Sequence, residues 1–156
     1  MSKSLKRVEN ALKSSGVEVD IITTGAETRT AEQAAQAAGC TVDQIAKSII
    51  FRGETSGEVV LFVTAGGNRV SADKASAVAG EALGKADATL IRAVTGFAIG
   101  GVAPLGHLNA VRSYLDPRLM DFTQIWAAAG TPQHIFAIAP GDLHRITGAT
   151  LADFTE

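Results

Sequence analysis

A chain of 156 residues, 46% of them hydrophobic and 19% charged, has the length of one domain and enough apolar material to fill its core. Disorder as the main state and a two-domain enzyme are both excluded on those grounds. Fourteen Lys and Arg against sixteen Asp and Glu leave a net charge of −2, which excludes a protein that grips long nucleic acid by electrostatics alone but leaves room for a small, local polyanion contact.

Leu5, Val8, Ala11 and Leu12 recur at helical spacing and Gly16 follows where a left-handed cap is wanted, so a first helix ends there. Lys3, Lys6, Arg7 and Lys13 give it a cationic face, read either as a solvated surface or as an extra contact for a polyanion. No apolar signal core follows these charges, and the expected address is the cytoplasm. Val17, Val19 and Ile21 alternate with Glu18 and Asp20, the period of a half-buried strand. Thr30 with Gln33, then Thr41 with Gln44, form two capping boxes, the first opening an alanine-rich helix that stops at Gly39. Cys40, the only cysteine, cannot form an intrachain disulfide and reads as a small buried hydrophobe.

Residues 47–52 and 58–65 are β-branched and apolar around a Gly-bounded turn, and read as a hairpin. Ser71 caps a helix expected to run to Leu83 and end at Gly84; a shorter helix ends at Gly96. Residues 97–108, 110–115, 124–128 and 134–139 read as four strands, Pro140 opens a short helix ending near Gly148, and residues 149–154 make a last strand. The most apolar of these, residues 97–108, is broken by Gly100, Gly101, Pro104 and Gly106 and falls short of the ~20 residues of a membrane helix, so no membrane partner is expected. Connections in the second half are too short for helical crossovers, which predicts a single α+β (α/β) domain over residues 1–156 with a mixed sheet.

His107, His134 and His144 have no partner at ligand spacing, so neither a metal nor a cofactor is expected. Neither a serine-hydrolase elbow nor a phosphate loop of the Gly-Lys-Ser/Thr type occurs. Two features carry chemistry. The segment from Thr95 to Gly106 sets four glycines and Pro104 in apolar sequence, which is either a bend at a sheet corner or a loop whose bare N–H groups approach a ligand. Lys47, between Ile45 and Ile49, either points from a strand edge to solvent or meets an anion.

Taken together, Gln44-Ile-Ala-Lys47-Ser-Ile-Ile-Phe51, Thr95-Gly96-Phe97, Ile99-Gly100-Gly101-Val-Ala-Pro104-Leu-Gly106, Ala129-Gly130-Thr-Pro132 and Pro140-Gly-Asp-Leu143 resemble the YbaK/ProX/EbsC family, over nearly the whole chain. The members are free-standing relatives of the editing domain of bacterial prolyl-tRNA synthetases. The resemblance implies a curved, barrel-like mixed sheet flanked by helices, and an enzyme that hydrolyses the ester of a small amino acid misattached to tRNA, tRNA(Pro) first. It implies a site at Gly100, Gly101 and Pro104 with Lys47 close by, and substrate contacts from Gly96, Ala128, Gly130 and His134. Asp73 and Lys74 fall where relatives have a similar pair. The partners implied are the acceptor end of a mischarged tRNA and, optionally, a synthetase, with monomer and homodimer both open. In the branch that removes cysteine, a serine stands about where Ala128 falls and an aspartate about where Ile135 falls, so here alanine, serine, threonine or 2-aminobutyrate is the expected leaving amino acid. The rival readings are an acceptor-end or nucleotide-binding module without hydrolysis, and a small-metabolite binder.

Overall fold

Ser2 opens the first helix by accepting the amides of Ser4 and Leu5 on its hydroxyl, which satisfies donors that the helix itself leaves free. The computed structural model describes residues 2–156. The helix, α1 (Lys3–Ser14), buries Leu5, Val8 and Leu12 on one face. β1 (Ile21–Thr23) follows, and α2 (Ala31–Ala38) starts at the Thr30–Gln33 capping box and ends at Gly39 in the left-handed conformation. A turn of 3-10 helix, Val42–Gln44, feeds β2 (Ile45–Gly53), which turns into β3 (Val59–Ala65). Then come α3 (Ala72–Ala79), β4 (Leu83–Lys85), α4 (Ala88–Thr95), β5 (Arg112–Leu115), a 3-10 segment Pro117–Asp121, β6 (Ile125–Thr131), β7 (His134–Ile138), α5 (Pro140–Thr147) and β8 (Thr150–Leu151).

One mixed sheet joins all the strands in the order β1-β7-β6-β2-β3-β5-β8, with β4 added to β2. The pairs β2/β3, β2/β4, β6/β7 and β1/β7 are antiparallel; β2/β6, β3/β5 and β5/β8 are parallel. One edge of β2 is fully paired to β3, from Ala46 to Arg52. Its other edge is shared: β6 takes only Ile45 and Ala46, and β4 takes residues 51–53. Between them, residues 47–50 have no strand on that side, and the sheet opens there.

The loop that follows α4 lies against this opening. Ser48 Oγ donates to the carbonyl of Val102 at 2.9 Å, joining the bare edge of β2 to the loop. Phe97 and Ala103 are fully buried, and Val102 and Leu105 join them in the main core with α1, β3, β6 and β7. The strand expected over residues 97–108 is absent: the segment is apolar because it is packed into the core, and Pro104 with the left-handed Gly100 and Gly106 keeps its backbone from building a ladder on the open edge of β2. Around Gly101 the backbone comes so close to β6 that a Cβ there would stand 2.7 Å from the backbone of Thr131.

Other boundaries also move. The strand expected over residues 17–21 pairs only from Ile21 on, although Val17 is buried. The helix opened by Ser71 ends at Gly80, not Gly84, and residues 83–85 pair with β2 instead. β6 runs past Ala128 to Thr131 through an irregularity that contains Gly130 at φ 97°. The last strand shrinks to Thr150–Leu151, and the C-terminal residues are held by Phe154, which packs edge-on against Phe62 at 4.8 Å, and by the Val70–Thr155 bridge. Among the described residues no helix is long and apolar enough to cross a membrane.

Candidate active site

The opening beside β2 is a cleft of about 570 Å³. Residues 45–50 form one wall; Val102, Gly100 and Ile99 of the loop form another; Trp126, Ala127 and Ala128 of β6 with Ile135 of β7 lie along it, and α2 with the residues before it makes the rim. Ala128 and Ile135 are cross-strand partners, so small and branched apolar side chains sit side by side there. Ala31, Ala34 and Ile45 continue this apolar lining. The hydroxyls nearby are already engaged: Ser48 with Val102, Thr28 with the carbonyl of Pro132 at 3.0 Å, and Thr30 with the amide of Gln33.

Lys47, Arg29 and Lys85 bring positive charge to the cleft, and among the described residues Glu32 is the one carboxylate lining it. Lys47 Nζ donates to the carbonyl of Gly66 at 3.1 Å, which fixes the ammonium and leaves two of its three donors free. Gly66 is needed for this: a Cβ on it would lie 2.2 Å from the carbonyl oxygen of Val42. Lys47, Glu32, Ile49 and Gly66 also line a second hollow of about 370 Å³, together with Asn68 and Arg69. The ammonium thus stands where the two depressions meet.

The loop is held by its carbonyls. Arg29 Nη1 donates to Ile99 at 3.3 Å, Ser48 Oγ to Val102 at 2.9 Å and His107 Nε2 to Ala103 at 2.8 Å. Burial depresses the His107 pKa, with Arg7 adding repulsion, so the ring is held in its neutral form. The amide of Gly101 closes a turn onto Ala98 at 3.0 Å, while those of Gly100 and Val102 have no protein acceptor among the described residues. Gly100 adopts φ 93°, and the side chain of Arg29 passes 3.2 Å from where its Cβ would be.

Lys47, Gly100 and Ala128 therefore come together in the cleft. Gly101 and Pro104 belong to the same loop but do not line it; Gly101 presses against Thr131, and Pro104 is buried behind. Gly96, Gly130 and His134 lie elsewhere. Gly96 caps α4, Gly130 lets α1 approach β6, and His134 Nδ1 shares a hydrogen bond with Thr131 Oγ1 at 2.6 Å. His134 precedes the cleft-lining Ile135, so strand alternation turns its side chain to the opposite face. Asp73 serves the first turn of α3, and Lys74 pairs with Asp153 at 3.1 Å. Arg29 and Gly66 carry no sequence signal of a site; Arg29 merely precedes a capping box and Gly66 follows the last residue of β3.

The family described as the aminoacyl-tRNA editing domain matches residues 25–146. A crystal structure described as a candidate trans-editing enzyme for prolyl-tRNA synthetase superposes with a TM-score of 0.92 at 43% identity, covering 100% of this chain and 99% of the other. A chain solved in work on epitope backbone grafting onto scaffold proteins reaches a TM-score of 0.93 at 41% identity, covering 100% of this chain and 99% of its own. The uncharacterized protein YwhH of Bacillus subtilis (strain 168) is 31% identical over 144 residues, 92% of this chain and 91% of that protein.

Proposed function

The chain belongs to the aminoacyl-tRNA editing domain family, and from that premise we propose that it is a deacylase acting in trans, hydrolysing the ester between a small amino acid and the terminal adenosine of a tRNA, tRNA(Pro) first. One observation carries the reading: Lys47 of β2 lines one cleft with Gly100 and Val102 of a distant loop, whose amides have no protein acceptor among the described residues. In the proposed reaction the acyl oxygen is held by the amides of Gly100 and Val102 as negative charge develops on it; one such donor is worth about 3 kcal/mol of barrier. Lys47 meets the phosphate or ribose oxygens of the terminal nucleotide and fixes the ester against the loop. Water adds to the acyl carbon, the ester C–O bond breaks, and the leaving ribose oxygen takes up a proton. Among the described residues no histidine lines the cleft and Glu32 is the one carboxylate there; in this proposal a hydroxyl of the substrate relays that proton.

The apolar side beside Ala128 and Ile135 suits an amino acid without a side-chain hydroxyl, which narrows the expected substrates to alanine and 2-aminobutyrate. A side-chain hydroxyl seated between Ala128 and Ile135 loses its hydration against two apolar side chains. Such an enzyme answers a physical need, since a synthetase pocket separates one methylene by only about 1–3 kcal/mol. A panel of tRNAs charged with alanine, 2-aminobutyrate, serine, threonine and cysteine tests the proposal. Release of the first two well above background is expected. Release of none overturns the deacylase, and tight binding of uncharged tRNA with every ester intact gives the binding-module reading its place.

A further inference from the structure

Arg7 of α1 reaches both ends of the loop that carries Gly100. Its Nη2 donates to the carbonyl of Gly96 at 2.8 Å and its Nε to the carbonyl of Gly106 at 3.0 Å. The guanidinium carbon also lies 4.9 Å from the ring centre of Phe97, the first side chain of the loop. Among the described residues no carboxylate pairs with Arg7, so its donors serve backbone oxygens.

Both glycines are shaped for this contact. Gly96 has φ 82°, and a Cβ on it would fall 2.3 Å from Arg7 Nη2; Gly106 has φ 79°, and its Cβ would fall 3.3 Å from the carbonyl oxygen of Arg7. Leu108 and Asn109 close the same neck by donating to Thr95 and Val94 at 3.1 and 3.0 Å. Inside the neck the chain has no ladder, and among the described residues its only backbone–backbone bond joins Gly101 to Ala98. The loop's shape is set from outside, one carbonyl at a time.

We infer that Arg7 is a positioning residue: by clasping Gly96 and Gly106 it fixes the separation of the loop's ends and so the presentation of the Gly100 and Val102 amides to the cleft. The planar fork of a guanidinium carries two donors at a fixed spacing, and a lysine ammonium at the same place satisfies one carbonyl at most. The cationic first helix is thereby given a role directed inward, at the loop. The catalytic part of this inference rests on the deacylase reading; the mechanical part does not.

The test uses the full chain with Arg7→Met, Arg7→Lys and, as a control on the exposed side of the same helix, Asn10→Ala. Hydrogen exchange, read by mass spectrometry on peptides covering residues 97–109, whose bonded amides are those of Phe97, Gly101, Leu108 and Asn109, is expected to speed up at least tenfold at those amides in Arg7→Met and by less in Arg7→Lys, with the β2–β3 hairpin and the control unchanged. On a mischarged tRNA that the wild type hydrolyses, kcat is expected to fall at least tenfold in Arg7→Met with KM within about threefold, and Arg7→Lys to lie between. Unchanged loop exchange overturns the clasp. Faster exchange with unaltered kcat overturns the positioning role, and a rise in KM alone reassigns Arg7 to tRNA contact. If the wild type hydrolyses no ester, the deacylase reading falls and the exchange comparison still decides the clasp. Should Arg7→Met fail to fold, Arg7→Lys carries both readouts.

Discussion

The Lys47 ammonium spends one donor on Gly66 and has two more that no protein group among the described residues takes; on the proposed deacylase reading, removing it costs the charge-assisted contacts to substrate without collapsing the strand. Lys47→Ala is expected to lower kcat/KM about 10- to 100-fold, the worth of one or two hydrogen bonds to a charged group, with little change in thermal midpoint. Single-turnover deacylation beside a melting curve checks both halves. Glu32 decides the origin of the base. If the substrate relays its own proton, Glu32→Gln leaves kcat within about threefold; a loss of about 100-fold makes the carboxylate the base, as general-base contributions run from about 10² to 10⁴. Lys47 and Gly100 were legible because an isolated lysine in an apolar strand and glycines in an apolar run each violate a local rule. Arg7 and Arg29 were not, because an arginine reads as surface until the carbonyls it serves, here from 70 to 99 positions away, are brought to it.

At the level of elements, caps and hairpins were readable because their signals are local: Thr30 with Gln33, Gly39, Gly96, and the turn between β2 and β3. The loop of residues 97–108 was misread because apolarity reports burial and says nothing of hydrogen-bond partners. The last helical turn given to α3 failed for a related reason. Gly80 takes up the left-handed conformation first, and the residues after it are claimed by the edge of β2, a long-range pairing. Ser48 is the link that makes strand and loop one unit. Ser48→Ala, which deletes the donor to Val102, is expected to cost about 1 kcal/mol of stability and several-fold in kcat, read by urea denaturation and by steady-state kinetics. Full activity in that variant would show that the loop needs no anchor on β2.

For the molecule as a whole, two groups tied into its packing, Glu81 and His107, make stability depend on acid pH, and the exposed Glu27, its pKa lowered by the hydrogen bond from Arg29, adds to the lower decline. Glu81 accepts the amides of Thr55 and Ser56, the Ser56 hydroxyl and Arg112, and its pKa is lowered to about 2. Its contribution is present above the ordinary value of 4.5 and is lost as pH falls from there toward about 2. His107 also has a depressed pKa, by burial first, so the unfolded chain takes up its proton before the folded one, and stability declines as pH drops below 6.5. Melting curves from pH 8 to 3 are expected to show two declines, one starting near pH 6.5 and one near pH 4.5. His107→Gln, whose amide can still donate to Ala103, is expected to remove only the upper one. A profile identical to wild type would place that decline on another group.

The break in pairing along β2 has a further meaning for solubility. A strand margin with free backbone groups recruits any extended segment it meets, which is the ordinary route to aggregation. Here that margin is stoppered by a segment whose proline and left-handed glycines cannot extend the sheet, so the molecule keeps an open cleft without offering a template to its neighbours. Trimming the stopper would therefore cost more than a ligand contact: it would uncover a place where copies of the chain could zip together.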